Sequence, residues 1–287
     1  MAQDAGTDAA SIFGEPKVDC HCHVLDPAIH PYGADTPYRP EGQEIGTPAQ
    51  MRQVFETYGV QRALLVQPNS GYGYDNSCLL AAIAASGGRW RGVATAPRDA
   101  SVEDLGRLKA AGIVGVAINA TFHGVDHYRD WAPLADRLAE LDLFLQVQAE
   151  GEQWLALMPL VRGTRARLLI DHCGRPDAAA GLGAPAFRAL LDLGREGRAI
   201  AKLSGYAKFA REPHPCPDAW PFVRALVEAF GPRNCVWGSD WPFLRAPTRV
   251  DYGPLLTLFA RLFPDPALRR TMMWDNPIRL FGFAAAD

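Results

Sequence analysis

Eight short runs of aliphatic and β-branched residues recur along the chain, most of them followed by a segment of helical periodicity. They lie at 17–23 (KVDCHCH), 62–68 (RALLVQP), 91–96 (RGVATA), 115–120 (GVAINA), 143–149 (LFLQVQA), 167–172 (RLLIDH), 199–205 (AIAKLSG) and 235–242 (CVWGSDWP). Apolar runs this short, bounded by turn residues, fit strands buried on both faces. Helical segments are expected at 47–59, 101–112, 129–142, 184–197, 217–231, 252–264 and 266–283. Thr47 serves as N-cap before Pro48, and Gly59 as stop; Ser101 caps a helix with Asp104 three residues on. Strand–helix alternation in a chain of 287 residues points to a (β/α)8 TIM barrel, one domain over 17–287. An open doubly wound sheet is the rival, but it calls for a glycine-rich turn after the first strand. Here the first strand runs instead into a long irregular stretch, 23–46, expected to reach over the mouth of the barrel.

Composition removes several function classes. The net charge is −3 and no segment concentrates Lys or Arg, so nucleic acid is not an expected partner. No apolar run approaches the ~20 residues of a membrane span. The six cysteines (Cys20, Cys22, Cys78, Cys173, Cys216, Cys235) are scattered, without a CxxC pair, which favours cytosolic thiols and a cytoplasmic location over a disulfide framework. Residues 1–16 are small and polar, read as a flexible leader rather than a signal peptide. Trp274, Phe281 and Phe283 suit either the barrel floor or a homodimer contact.

Alternation along the strands sorts side chains between faces. His21 and His23 share the inner face, and strict alternation sends Cys20 and Cys22 outward to the helices. The same rule turns inward Ala117 with Asn119, Gln146 with Gln148, Lys202 with Ser204, and Val236 with Gly238 and Asp240. His172 ends the sixth run and Asp240 lies near the end of the eighth. Barrel active sites form at the C-terminal ends of the strands, so His21, His23, His172 and Asp240 are expected to converge there. Lys202, inside a barrel, is expected either to pair with a carboxylate or to contact substrate.

These residues resemble a known family. A His-x-His ending strand one, a His ending strand six and an Asp ending strand eight look like the amidohydrolase superfamily. The segments VDCHCHVLD, LLIDHCGRPDA, AKLSGYAK, VWGSDWPF and NPIRLFGF are similar to its lactonase branch from about residue 17 to 283. The resemblance implies His21, His23, His172 and Asp240 as the catalytic set. It also places Tyr38 from the long first loop over the substrate, Lys208 at a basic substrate position and Asn69 in a polar contact loop. Strand four lacks the Lys or Glu, and strand five the His, of many metal-dependent members, so a binuclear centre is not expected. The branch includes metal-free and zinc-using enzymes; here a single zinc would fall to His21, His23 and Asp240, with His172 as a further candidate ligand. Ala117 stands where pyrone-opening members have an arginine, which favours a hydroxyl-rich sugar lactone over a dicarboxylated pyrone.

The expected chemistry is hydrolysis of a lactone, a small-molecule cyclic ester. Asp240 takes a proton from water and the imidazoles polarise the carbonyl, directly or through zinc. Tyr38, Asn69, Asn119, Gln146, Gln148, Tyr206 and Lys208 are candidates for holding the substrate; His123 and His127 lie in the loop after strand four. Three other readings are lactone isomerisation, zinc-dependent decarboxylation of an acidic aromatic using Arg175, Arg245 or Arg249, and a ligand-binding barrel without catalysis.

Overall fold

The computed structural model describes residues 11–283. Eight parallel strands pair in sequence order: β1 Lys17–Cys22, β2 Val60–Val66, β3 Trp90–Ala94, β4 Ile113–Asn119, β5 Phe144–Gln148, β6 Arg167–Ile170, β7 Ala199–Leu203 and β8 Cys235–Trp237. The last strand returns to the first through Asp240 N donating to His21 O (2.7 Å) and His23 N donating to Trp241 O (2.8 Å). The chain is therefore the (β/α)8 barrel expected from its pattern.

The helix Pro48–Tyr58 begins with the anticipated capping box, Thr47 against Gln50, and stops at Gly59 in the left-handed region. Ser101 and Asp104 form a second box before Val102–Ala110. Besides several one-turn helices, two longer ones escape the sequence reading. Ser77–Ala84 is almost wholly apolar, and Gln153–Gly163 carries Pro159 inside it; neither has a side-chain cap. The segment anticipated as one helix over 266–283 is Pro266–Arg270, a π turn Thr271–Asp275, and Asn276–Phe281.

Two apolar layers result. The outer one lies between strands and helices. The inner one is a plug in the lower barrel, with Val18, Leu64, Val93, Phe144, Leu169, Ile200 and Val236 resting on Trp274, Leu280, Phe281 and Phe283. The C-terminal aromatics thus close the floor. Above the plug the interior turns polar.

The register shifts at Lys17–Val18 and at two further places. Between Asp19 and Cys22, β1 advances three residues while β2 advances two, from Ala63 to Leu65. This bulge leaves Cys20 in the inner plug, not against the helices as expected, while Cys22 faces outward as expected. Asp19 holds the bulge, accepting from His21 N (3.1 Å), Ser239 N (3.0 Å), Ser239 Oγ (2.6 Å) and Tyr252 Oη (2.9 Å). The last irregularity lies between β3 and β4 at Gly92–Val93.

The leader expected over 1–16 lies partly outside the described residues, which begin at Ser11. From there the chain is built into the barrel: Ser11–Gly14 is helical, Ile12 is fully buried, and Glu15 accepts from buried Arg269 (Nε, 3.0 Å). Among the described residues no helix is long and apolar enough to cross a membrane.

Candidate active site

At the C-terminal rim, three imidazoles meet one carboxylate. His23 Nε2 lies 3.4 Å from Asp240 Oδ1, His172 Nε2 3.7 Å and His21 Nε2 3.8 Å from the same oxygen. Lys208 Nζ lies 3.3 Å from Asp240 Oδ2 and donates to Leu244 O. All four of the anticipated residues are buried, and strands β1, β6 and β8 bring them together.

The partners on the far side of each ring fix its chemistry. His23 Nδ1 is 2.8 Å from Val66 O, which can only accept, so the hydrogen is on Nδ1 and Nε2 bears a lone pair. His21 Nδ1 is 3.1 Å from Asp171 Oδ1, with the same consequence. His172 Nδ1 faces Ser204 Oγ at 3.1 Å, and a hydroxyl leaves either nitrogen free to carry the proton. Burial lowers His21 to about 4, Lys202 adding to the effect and Asp171 opposing it; burial also drives His172 well below the usual histidine range. Burial by itself would raise Asp240. Lys208 above all, with the imidazole of His172, outweighs it and holds the carboxyl well below the ordinary range. His21, His23 and Asp240 form one group whose ligand atoms lie within 4.8 Å of one another; His21, Asp171 and His172 form a second. Two anchored imidazoles and a carboxylate are donors a divalent cation accepts. Their 3.4 and 3.8 Å separations from Asp240 are close to the edge, about 3.3 Å, of a tetrahedron with zinc-length arms.

A cavity of about 260 Å³ opens above this group. Asn69, Asn119, Gln148 and Lys208 line it, as expected of substrate contacts. Asn119 also caps the short helix Ala120–His123 through Phe122 N, and Gln148 donates to Thr121 Oγ1. Gln146 reaches the cavity too, but its amide is committed below, donating to Asp171 Oδ2 (2.7 Å) and accepting from Lys202 (2.5 Å). Two expected contacts are absent from the lining. Tyr38 bonds to Glu44 and stacks under the Arg245 guanidinium (5.2 Å), because the 23–46 stretch braces the neighbouring loops rather than covering the cavity. Tyr206 is buried with its hydroxyl donating to Leu203 O (3.2 Å), behind the site. Arg249 pairs with Asp251 away from the cavity, whereas Arg175 and Arg245 line it. His123 and His127 stack on each other with centroids 4.8 Å apart, and Asn69 lies 3.4 Å from His123 Nε2.

Asp171 was missed as a member of the site. It follows the last residue of β6, where alternation no longer tells direction, and only its place beside His172 in LLIDH marked it. Lys202 finds the carboxylate it needs there, at 3.4 Å. The strand ends also bend in ways that alternation cannot foresee. His172, Cys173 and Arg175 after β6, and Asp240, Phe243 and Arg245 after β8, all have φ between 42° and 70°. Non-glycine residues in that region cost about 1–3 kcal/mol each and persist where surrounding bonds over-determine them. Here those bonds include Gly174 N to Asp171 O and Phe243 N to Asp240 O, both 2.7 Å. Gly205 must lack a side chain, since a Cβ there would sit 2.4 Å from His172 Nδ1.

The chain is similar to known proteins over nearly its whole length. A family model described as Amidohydrolase matches residues 18–283. A 4-sulfomuconolactone hydrolase of Rhizobium radiobacter is 33% identical over 286 residues, covering 94% of this chain and 92% of that one. A 2-pyrone-4,6-dicarboxylate hydrolase of Comamonas testosteroni is 29% identical, covering 92% and 89%. A Pseudomonas putida crystal structure provisionally described as a 2-pyrone-4,6-dicarboxylic acid hydrolase superposes with a TM-score of 0.82 at 27% identity, over 94% of this chain and 98% of that one.

Proposed function

This chain belongs to the amidohydrolase family, and from that membership we propose that it hydrolyses a lactone bearing an anionic group. One observation carries the reading: three imidazole nitrogens within 3.4–3.8 Å of a single ionised carboxylate oxygen, at the closed end of a cavity of small-molecule size. The curated relatives named above are lactone hydrolases.

Opening a cyclic ester needs a water that loses a proton, a stabilised oxyanion, and a proton for the leaving alkoxide. Asp240, kept ionised by its neighbours, accepts the water proton as the oxygen attacks the lactone carbonyl. Lys208 Nζ, beside that carboxylate, donates to the oxyanion, and His172 does so when its proton is on Nε2. Collapse of the tetrahedral intermediate breaks the ring C–O bond. Asp240 then returns its proton to the alkoxide, giving an open hydroxy acid and the starting carboxylate. His21 and His23 present lone pairs and cannot donate as neutral rings, so in this reading they hold, with Asp240, one divalent cation of the zinc type. When bound, such a cation supplies Lewis-acid polarisation of the carbonyl and a more acidic attacking water.

The walls describe the substrate. Arg175, Lys208 and Arg245 gather on the side built by the loops after β6, β7 and β8, and suit a carboxylate or a similar anion. Arg175 is shared with Glu150 at 2.6 Å. The facing wall offers Asn69, Ser70, Asn119 and Gln148, neutral groups suited to hydroxyls, with Ala117 rather than a cation on strand four. A sugar-acid lactone with one carboxylate fits both walls better than a doubly charged pyrone.

The test is a panel of sugar-acid and aromatic lactones followed by proton release in weak buffer, with and without chelator. We expect turnover of a carboxylated sugar lactone, its loss on chelation, and its return with equimolar zinc. Proton release separates hydrolysis from isomerisation, which yields none at constant charge. Folded protein that opens no lactone in the panel refutes the reading; activity indifferent to chelation removes the cation from it.

A further inference from the structure

We propose that Lys202 is a positioning residue: through Gln146 and Asp171 it locks the ring of His21 into the orientation and tautomer that aim Nε2 at Asp240. Lys202 is fully buried on β7 and does not line the cavity. Its Nζ donates to Gln146 Oε1 at 2.5 Å and lies 3.4 Å from Asp171 Oδ1. Gln146 in turn donates Nε2–H to Asp171 Oδ2 at 2.7 Å. Both carboxylate oxygens of Asp171 are thus engaged, and Oδ1 faces His21 Nδ1 at 3.1 Å. The loop of contacts draws on β5, the end of β6 and β7, and reaches β1 across the barrel.

A buried ammonium–carboxylate pair is a poor way to gain stability. Well-packed apolar residues of similar volume often do as well or better, whereas removing one partner is costly. A role in orientation accounts for the pair. Lys202 Nζ is also 3.4 Å from His21 Nδ1. An ammonium that close would favour a lone pair on Nδ1, turning the Nε2 hydrogen toward Asp240. Asp171, nearer and acceptor-only, reverses that preference as long as it is held in place. Gln146 and Lys202 are what hold it, since the amide fixes one oxygen and the ammonium balances the charge. Ligand imidazoles are commonly oriented by such outer partners, and losing one typically costs 10–100-fold.

The kinetic part of this inference rests on the lactone-hydrolase reading; the spectroscopic part does not. Full-length protein labelled with ¹⁵N-histidine would be prepared as wild type, Lys202→Met, Asp171→Asn and the double variant. In wild type we expect His21 to show one protonated Nδ1 and one unprotonated Nε2. Lys202→Met should lose that single-tautomer pattern and lower kcat by about 10–100-fold, with KM changed by less than about threefold. The double variant should be no slower than Asp171→Asn, because Lys202 acts through Asp171. An unchanged His21 pattern in folded Lys202→Met overturns the proposal whatever happens to kcat. Losses that multiply in the double variant also overturn it. Should Lys202→Met yield too little folded protein, the charge-free double variant decides: kcat equal to that of Asp171→Asn supports the proposal, and wild-type kcat or a kcat well below Asp171→Asn overturns it. If wild type opens no lactone, the previous reading fails while the His21 pattern still tests this one.

Discussion

Asp240 is held in a left-handed backbone, with three imidazoles around one oxygen and an ammonium beside the other. An amide of the same shape keeps the hydrogen-bonding outline but cannot take a proton from water. Asp240→Asn is therefore expected to lower kcat by at least about 100- to 1,000-fold, comparable with the loss of one well-placed oxyanion donor, about 2.7–4 kcal/mol. Near-wild-type turnover in steady-state assays would remove the base assignment. His21 and His23 were legible from their His-x-His spacing in the first run, and His172 and Asp240 from their place at the ends of two apolar runs. Asp171 was not, since it follows the last residue of β6, where alternation gives no direction; Arg175 and Arg245 were read only as carboxylate-binding arginines of a decarboxylase. Tyr38 and Tyr206 were assigned from resemblance and loop position, which carry no information on whether a ring faces a cavity or a neighbouring guanidinium.

At the scale of elements, buried parallel strands announce themselves as apolar runs, so all eight could be read directly, with their ends displaced by a few residues. The bulge in β1 could not, because an extra residue leaves the composition of the run unchanged. It decides which way Cys20 faces, and Asp19 pins it from below. The helices Ser77–Ala84 and Gln153–Gly163 went unread because they lack caps and a polar stripe. The residues just beyond β8 are equally constrained. A Cβ on Gly238 would fall 2.7 Å from the backbone nitrogen of His21, atoms that cannot swing aside. Gly238→Ala is expected to cost about 1–3 kcal/mol of stability through overpacking and to depress kcat by shifting His21. Urea melts and turnover on the same preparation would check it. A stable, fully active variant would show that the strands can part there without consequence.

For the whole molecule, the division between a greasy lower barrel and a polar upper one explains the thiols. All six cysteines are unpaired and buried, in both apolar layers. Burial raises each of them, Cys216 to about 11 and Cys173 to about 12, with Cys20, Cys22, Cys78 and Cys235 also pushed up. Because the thiolate is the reactive form, native protein should resist iodoacetamide between pH 7 and 9 with little change across that window. Denatured protein should take up six equivalents by mass spectrometry. Rapid labelling of the native state would mean that the layers open more readily than their packing implies.

The seam where the final strand returns to the first has a further consequence. Asp240 reaches His21 and His23 only across that junction, through Asp240 N to His21 O and His23 N to Trp241 O. A nascent chain still threaded in the ribosome, with the opening histidines long since emerged, has nothing yet to work with. Turnover needs the segment through Trp241 to have emerged and closed on the first strand, so a chain that stops short of it stays silent.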